Sequence, residues 1–229
     1  MKAAFLIVAA LAASAPAAPP RAKPPVATDW SRTVRRTPDG NFVQGNPAAR
    51  VKLVEYLSLT CPHCALFEKE AIPPLTANYI RTGRVSYEVR HAIRDPFDMA
   101  ATILSRCDGP AAFFAAAPVV YAEQEAWLGK GSAWAETKPQ LDGLKPDQAL
   151  TRIAAGAGLD ELFRRRGLIP QRQAACFAAV GEEQRLAKAS DAIWQSPGFP
   201  GTPAFDINGQ RANIRTWADL DAALAAALK

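Results

Sequence analysis

The chain has 229 residues, 49% hydrophobic and 21% charged, with a formal net charge of +5. That is enough apolar material for a buried core, and it excludes a fibrous or disordered composition. The basic excess lies in the first 50 residues, where Lys2, Arg21, Lys23, Arg32, Arg35, Arg36 and Arg50 face only Asp29 and Asp39; the remainder is balanced at 20 charges of each sign. A nucleic-acid-binding domain gathers Lys and Arg on its folded face, and this balance gives that class no support.

Taken in chain order, Met1-Lys2 is a short positive start, and Ala3 to Ala13 is an apolar run followed by small residues up to Ala17. Residues 1–17 therefore read as an export signal. The run spans about 16 Å as a helix, short of a hydrocarbon core of roughly 30 Å, so a membrane anchor fits less well. No cysteine precedes Cys61 to carry a lipid. Residues 18–40 hold Pro19, Pro20, Pro24, Pro25 and Pro38 among basic residues and read as a basic, proline-rich arm. It is expected to be a solvated tether, with weak attraction to an anionic membrane as the other reading.

Asn41 to Gln44 is a short strand candidate closed by Gly45-Asn46-Pro47. Val51 to Leu57 follows, with Val51, Leu53, Glu55 and Leu57 on one face and Val54 and Tyr56 on the other; being apolar on both faces, it reads as a central strand. Cys61 to about Arg81 reads as a helix kinked at Pro73-Pro74. Val85, Tyr87 and Val89 form the next strand. From about residue 95 to 195 the pattern turns helical, with starts near Asp95, Pro110, Pro146, Asp160, Pro170 and Glu182. Ala204 to Ile207, the turn Asn208-Gly209, and a strand through Ile214 restore the sheet. Thr216, with Asp219 three residues on, caps a last helix bearing Trp217, Leu220, Leu224 and Leu228. The expected architecture is one α/β domain over residues 41–229 interrupted by an all-helical insertion.

Four cysteines, at 61, 64, 107 and 176, suit disulfide chemistry in an exported chain. Cys61-Pro62-His63-Cys64 sits where a buried strand ends and a helix begins, a place where backbone N–H groups and the helix dipole favour negative charge. Pro62 suits the first helical turn. Cys61 is expected to be the exposed sulfur and Cys64, one turn on, the buried one. A thiolate at a helix start has a lowered pKa, and His63 can add a donor or a positive charge. A stabilised thiolate favours the reduced pair and makes its disulfide oxidising. A purely structural Cys-x-x-Cys is the lesser alternative. A zinc site would want four ligands where the chain offers only His63 and His91 beside its cysteines, and Ala65 after Cys64 argues against attached haem.

A strand leading into Cys61-Pro62-His63-Cys64, a helical insertion, and Gly201-Thr202-Pro203 ahead of a strand-turn-strand-helix ending together resemble the DsbA-like thiol:disulfide oxidoreductases. The resemblance covers roughly residues 41–229 and implies a thioredoxin fold. It also implies an exported, periplasmic enzyme without external cofactor or metal, whose redox group is the Cys61-Cys64 disulfide. Cys61 would form the mixed disulfide with substrate and Cys64 would resolve it. Pro203 would be cis, leaving the backbone at Gly201 and Thr202 to pair with an extended substrate. Glu55, six residues before Cys61, matches an acidic residue linked to the second cysteine's proton; the residues alone leave open a strand-end glutamate paired with Arg90 or facing water. Some relatives carry a second disulfide in the insertion, which here would join Cys107 to Cys176; two separate buried thiols are the other possibility.

The partners so implied are reduced, unfolded secreted proteins and a DsbB-like, quinone-linked membrane reoxidase, with no nucleic acid and a monomeric enzyme. Thr202 stands where the best-known oxidases have valine, which keeps an isomerase or reductase of the same fold open, with a thiol-based metal carrier more distant.

Overall fold

A computed structural model describes residues 28–229; the expected signal at 1–17 and the arm as far as residue 27 lie outside the described residues. Among the described residues six strands form one mixed sheet: β1 (Val34–Arg36), β2 (Phe42–Gly45), β3 (Val51–Leu57), β4 (Val85–His91), β5 (Ala204–Ile207) and β6 (Gln210–Ala212). They lie side by side as β1-β2-β4-β3-β5-β6. Of the paired strands, β3 and β4 run parallel, joined by the crossover through α1, and the other pairs are antiparallel.

The alternation read in β3 is the alternation observed. Val51, Leu53 and Leu57 enter the main core, whereas Val54 and Tyr56 join Ala204 in a small cluster on the opposite face, covered by Ile193 and Phe199. Helix α1 (Pro62–Leu75) buries Cys64, Phe67, Ala71 and Leu75. It continues through Pro73 and Pro74 and then loosens into a single π-type turn, Thr76–Ile80. The last helix, α9 (Trp217–Ala227), begins with the expected reciprocal cap between Thr216 and Asp219 and buries Leu220 and Leu224.

Between β4 and β5 stand α2 (Pro96–Arg106), α3 (Pro110–Ala122), α4 (Gln124–Glu136), α5 (Pro146–Ala157), α6 (Leu159–Arg165), α7 (Pro170–Phe177) and α8 (Glu182–Trp194). The insertion falls where it was expected, and its core is continuous with that of the sheet. Helix α2 is its centre, with every residue from Asp98 to Arg106 buried. Helix α4 is missing from the sequence reading, since a single residue, Glu123, separates it from α3 with no proline or glycine to mark the break. Cys107 and Cys176 are bonded, with Cα atoms 5.5 Å apart.

The arm needs correction. Within the stretch read as arm up to residue 40, Trp30–Arg32 form a 3-10 turn and Val34–Arg36 pair with Gln44, Val43 and Phe42. The strand escapes the sequence pattern because it is an edge strand, half-buried only at Val34, and gains its place through backbone pairing. Arg36 lies 3.7 Å from Glu182 of α8. With Lys2, Arg21 and Lys23 outside, the described residues carry a formal charge of +2, so part of the basic excess belongs to the folded domain. The edge it joins is closely packed: Gly45, at φ +107°, approaches β4 so nearly that a Cβ there would lie 2.8 Å from the Val85 carbonyl oxygen.

Candidate active site

Strand β3 ends at Leu57, and the four residues Ser58 to Cys61 carry the chain into α1. Cys61 is the N-cap of that helix, in an extended conformation, with Pro62 in its first turn. Cys61 and Cys64 are free thiols. The structure corrects the expectation that Cys61 is exposed: it retains 3% of its surface against 1% for Cys64. The Gly201–Pro203 loop covers it, and the Cys61 thiol donates to the Thr202 carbonyl oxygen at 3.2 Å. The Thr202–Pro203 peptide is cis, as expected. Pro62 and His63 are exposed beside the two sulfurs.

The two cysteines differ sharply in acidity. The Cys61 thiol is drawn down to about 5, first by a hydrogen bond from the Cys64 thiol, against the opposing effect of burial, with help from the Thr202 side chain and the backbone N–H groups of Cys64 and His63. The Thr202 carbonyl can accept from the thiol but offers nothing to the thiolate; the several donors outweigh it. Burial holds the Cys64 thiol well above the ordinary range, reinforced by its bond to Cys61 and the nearby charge of Glu55. Negative charge therefore resides on Cys61 and the proton on Cys64. His63 contributes through its backbone N–H, and no hydrogen bond from its imidazole is found among the described residues.

Glu55 is buried at 3% exposure on the α1 face of β3. It accepts a hydrogen bond from the phenol of Tyr87. Burial raises its carboxyl to about 8, opposed by the Tyr87 bond and reinforced by Glu68 and Cys61. The alternative pairing with Arg90 is not made: Arg90 turns to Glu88 at 2.8 Å. Glu68, half-buried on α1, is raised to about 7 by burial. It lines a cleft of about 820 Å³ between α1 and α3, together with Tyr87, Tyr121, Leu66 and Phe114. Among the described residues, no group of three His, Cys, Asp or Glu side chains could hold a metal ion, and no helix is long and apolar enough to cross a membrane.

Sequence reasoning missed Tyr87 and the side chains that hold the Ser58–Cys61 turn. In the β3-β4 register, Glu55 lies opposite Val89, which makes Tyr87 its diagonal neighbour. That pairing was within reach once β3 and β4 were read as parallel neighbours. The turn-holding residues come from the insertion, and nothing local marks them.

A family model described as thioredoxin matches residues 37–226. Curated relatives named protein-disulfide oxidoreductase in Rickettsia typhi and Rickettsia bellii are 28% and 27% identical to the chain, over 75% and 83% of its length. The chain spans only 56% and 66% of those two proteins. Among solved structures, the protein-disulfide isomerase from Novosphingobium aromaticivorans is 29% identical with a TM-score of 0.73, covering 82% of this chain and 96% of that one. Wolbachia pipientis alpha-DsbA1, 21% identical with a TM-score of 0.62, covers 82% and 90% and shares the fold.

Proposed function

The chain belongs to the thioredoxin family, in its DsbA-like form with a helical insertion, and from that premise we propose that it is a thiol:disulfide oxidoreductase that donates the Cys61-Cys64 disulfide to exported proteins. The observation that carries this reading is the asymmetry of the pair, with Cys61 acidic near 5 and Cys64 held protonated. A stabilised thiolate is a good leaving group and favours the reduced enzyme, so the disulfide form gives up its bond readily.

In the proposed reaction a substrate thiolate attacks Cys61 Sγ. A substrate-enzyme disulfide forms, the Cys61-Cys64 bond breaks, and Cys64 leaves with the electron pair. Cys64 takes a proton, for which Glu55, protonated below about 8, is the nearby buried source. A second substrate thiolate then attacks the substrate sulfur of the mixed disulfide and expels Cys61 as thiolate. Two electrons pass from the substrate dithiol to the enzyme. A quinone-linked membrane partner of the DsbB kind would remove them. Substrate backbone would pair beside Pro203 with Gly201 and Thr202. Residues 1–17 support export to the periplasm, where the Cys107-Cys176 bond persists, and a monomer remains the expected state.

A second reading, disulfide isomerase, is favoured by Thr202 before the cis-proline and by the name of the Novosphingobium relative. The test is a titration of the reduced enzyme by thiolate absorbance, with assays on reduced peptide and on scrambled protein. A midpoint near 5 with rapid peptide oxidation is expected. A midpoint at the ordinary value of about 8.5 overturns the oxidant mechanism, and efficient reshuffling with poor oxidation selects the isomerase.

A further inference from the structure

Beyond its own bonds from the Thr60 and Cys61 N–H groups to Ser58, the turn from Ser58 to Cys61 is held by side chains of the helical insertion. Asp98 of α2 accepts from the Leu59 N–H at 2.8 Å, and Asp95, the cap of α2, accepts from the Thr60 hydroxyl at 2.7 Å. The Tyr121 phenol of α3 donates to the Ser58 carbonyl at 3.1 Å. Gln124, the first residue of α4, donates its amide nitrogen to two carbonyls at once, Leu59 at 2.8 Å and Cys61 at 3.1 Å. Gln124 is buried at 6% exposure. Among the described residues the Leu59 carbonyl has no other partner, and the Cys61 carbonyl shares only the first helical bond, from the Ala65 N–H.

These bonds act on the sulfurs through geometry. The N–H groups of His63 and Cys64 lower the Cys61 thiol, and that of Ser58 lowers the Cys64 thiol. All three donors belong to the turn or to the helix that starts from it, and such donors weaken steeply with misalignment. Asp98, Asp95 and Tyr121 hold Ser58, Leu59 and Thr60. Among the described residues, Gln124 alone bonds from the insertion to the peptide of the reacting cysteine.

We propose that Gln124 is a positioning residue: by clamping the Leu59 and Cys61 carbonyls it aims the His63 and Cys64 N–H groups at Cys61 Sγ, so that the insertion sets the redox character of the thioredoxin core. The proposal rests on the function proposed above for what that character is used for. Among the described residues the side-chain bonds of Gln124 go to backbone carbonyls and to neither sulfur. Its removal leaves a buried carbonyl unpartnered and frees the helix cap to turn, which withdraws the donors from the thiolate while the fold persists.

The test replaces Gln124 with Met, which keeps the length and removes the donor, in the full chain. Two properties of the dithiol itself are read: the Cys61 thiolate midpoint by absorbance, and the equilibrium constant for exchange with glutathione. The variant is expected to raise the midpoint by about one unit and to shift the equilibrium about tenfold toward the disulfide. Thermal midpoints of oxidised and reduced forms are measured beside them. An unchanged thiolate midpoint and equilibrium constant, with equal loss of stability in both forms, would make Gln124 a structural residue and overturn the proposal. Should Gln124→Met fail to fold, Gln124→Asn withdraws the amide by one carbon and is judged on the same two readouts. Neither readout needs a protein substrate. A wild-type enzyme inactive on peptides would therefore sink the functional reading while leaving the Gln124 assignment to its own result.

Discussion

The phenol of Tyr87 donates to the carboxyl of Glu55 across the parallel pair β3-β4, and both side chains are buried. A carboxyl so enclosed holds its proton to about pH 8, whereas in the unfolded chain it ionises near 4.5. Its contribution to stability is fully present below 4.5 and is lost as the pH rises toward 8. At pH 7 the loss is of order 3 kcal/mol. Glu55→Gln keeps an acceptor for Tyr87 and removes the ionisation, so the variant should be more stable than the parent at pH 7 by about that amount and little different at pH 4. Urea unfolding at the two pH values measures it; an equal effect at both would show that the carboxyl is already ionised in the fold.

His91 has the opposite linkage. Among the described residues its two ring nitrogens have no hydrogen-bond partner, its ring stands edge-on to Phe113, and burial holds its pKa well below 6.5, with Arg106 and Arg185 adding to the effect. The folded state keeps His91 neutral while the unfolded chain takes up a proton, so its contribution is present above pH 6.5 and lost on acidification. The loss approaches about 1.4 kcal/mol for each unit below 6.5. His91→Phe should therefore flatten the fall in stability between pH 6.5 and 5. The difference between parent and variant unfolding curves isolates this group; parallel pH profiles would refute the assignment.

The Cys107-Cys176 bond closes a separation of 69 residues across the insertion. The chain-entropy model gives about 4 kcal/mol for a loop of that size. Replacing both cysteines with Ala should lower the unfolding free energy by about 2–4 kcal/mol and leave the Cys61 thiolate midpoint near its parental value, since among the described residues neither is hydrogen-bonded to the Ser58–Cys61 turn. Denaturant titration and thiolate absorbance on the same sample check both halves of this expectation.

The edge strand makes a prediction about truncation. Removing residues 1–27 leaves every described contact in place, whereas removing residues 1–40 also deletes β1, Trp30 and the Arg36 contact to Glu182, and bares the edge of β2. The first truncation should fold as the parent does. The second should lose stability and associate through the open edge, which light scattering during purification would detect. A monomeric, fully stable second truncation would restore the reading of this stretch as a free tether.

Much of the fold was legible because it is written in local signals. The two-faced apolar pattern of Val51 to Leu57 marks a central strand, Thr216 and Asp219 mark a helix start, and proline and glycine punctuate most of the insertion. The residues that failed this reading failed for physical reasons. Val34–Arg36 form a strand by sharing backbone bonds with β2, which carries no side-chain pattern. Helix α4 follows α3 without a breaker. Cys61, expected to be exposed, is covered by a loop that lies 141 residues away in sequence.

The sequence by itself determined the chemistry: a Cys-Pro-His-Cys group at a strand-helix junction, a late Thr-Pro, and an acid in a strand with no solvent face. Only the tertiary structure decided that Cys61 is buried, that Tyr87 and not Arg90 meets Glu55, that Cys107 and Cys176 are bonded, and that Gln124 reaches the turn. Local propensity and spacing depend on near neighbours along the chain, so sequence reports them. Acidity depends on burial and on donors brought from distant segments, which exist only once the sheet and the insertion have packed together.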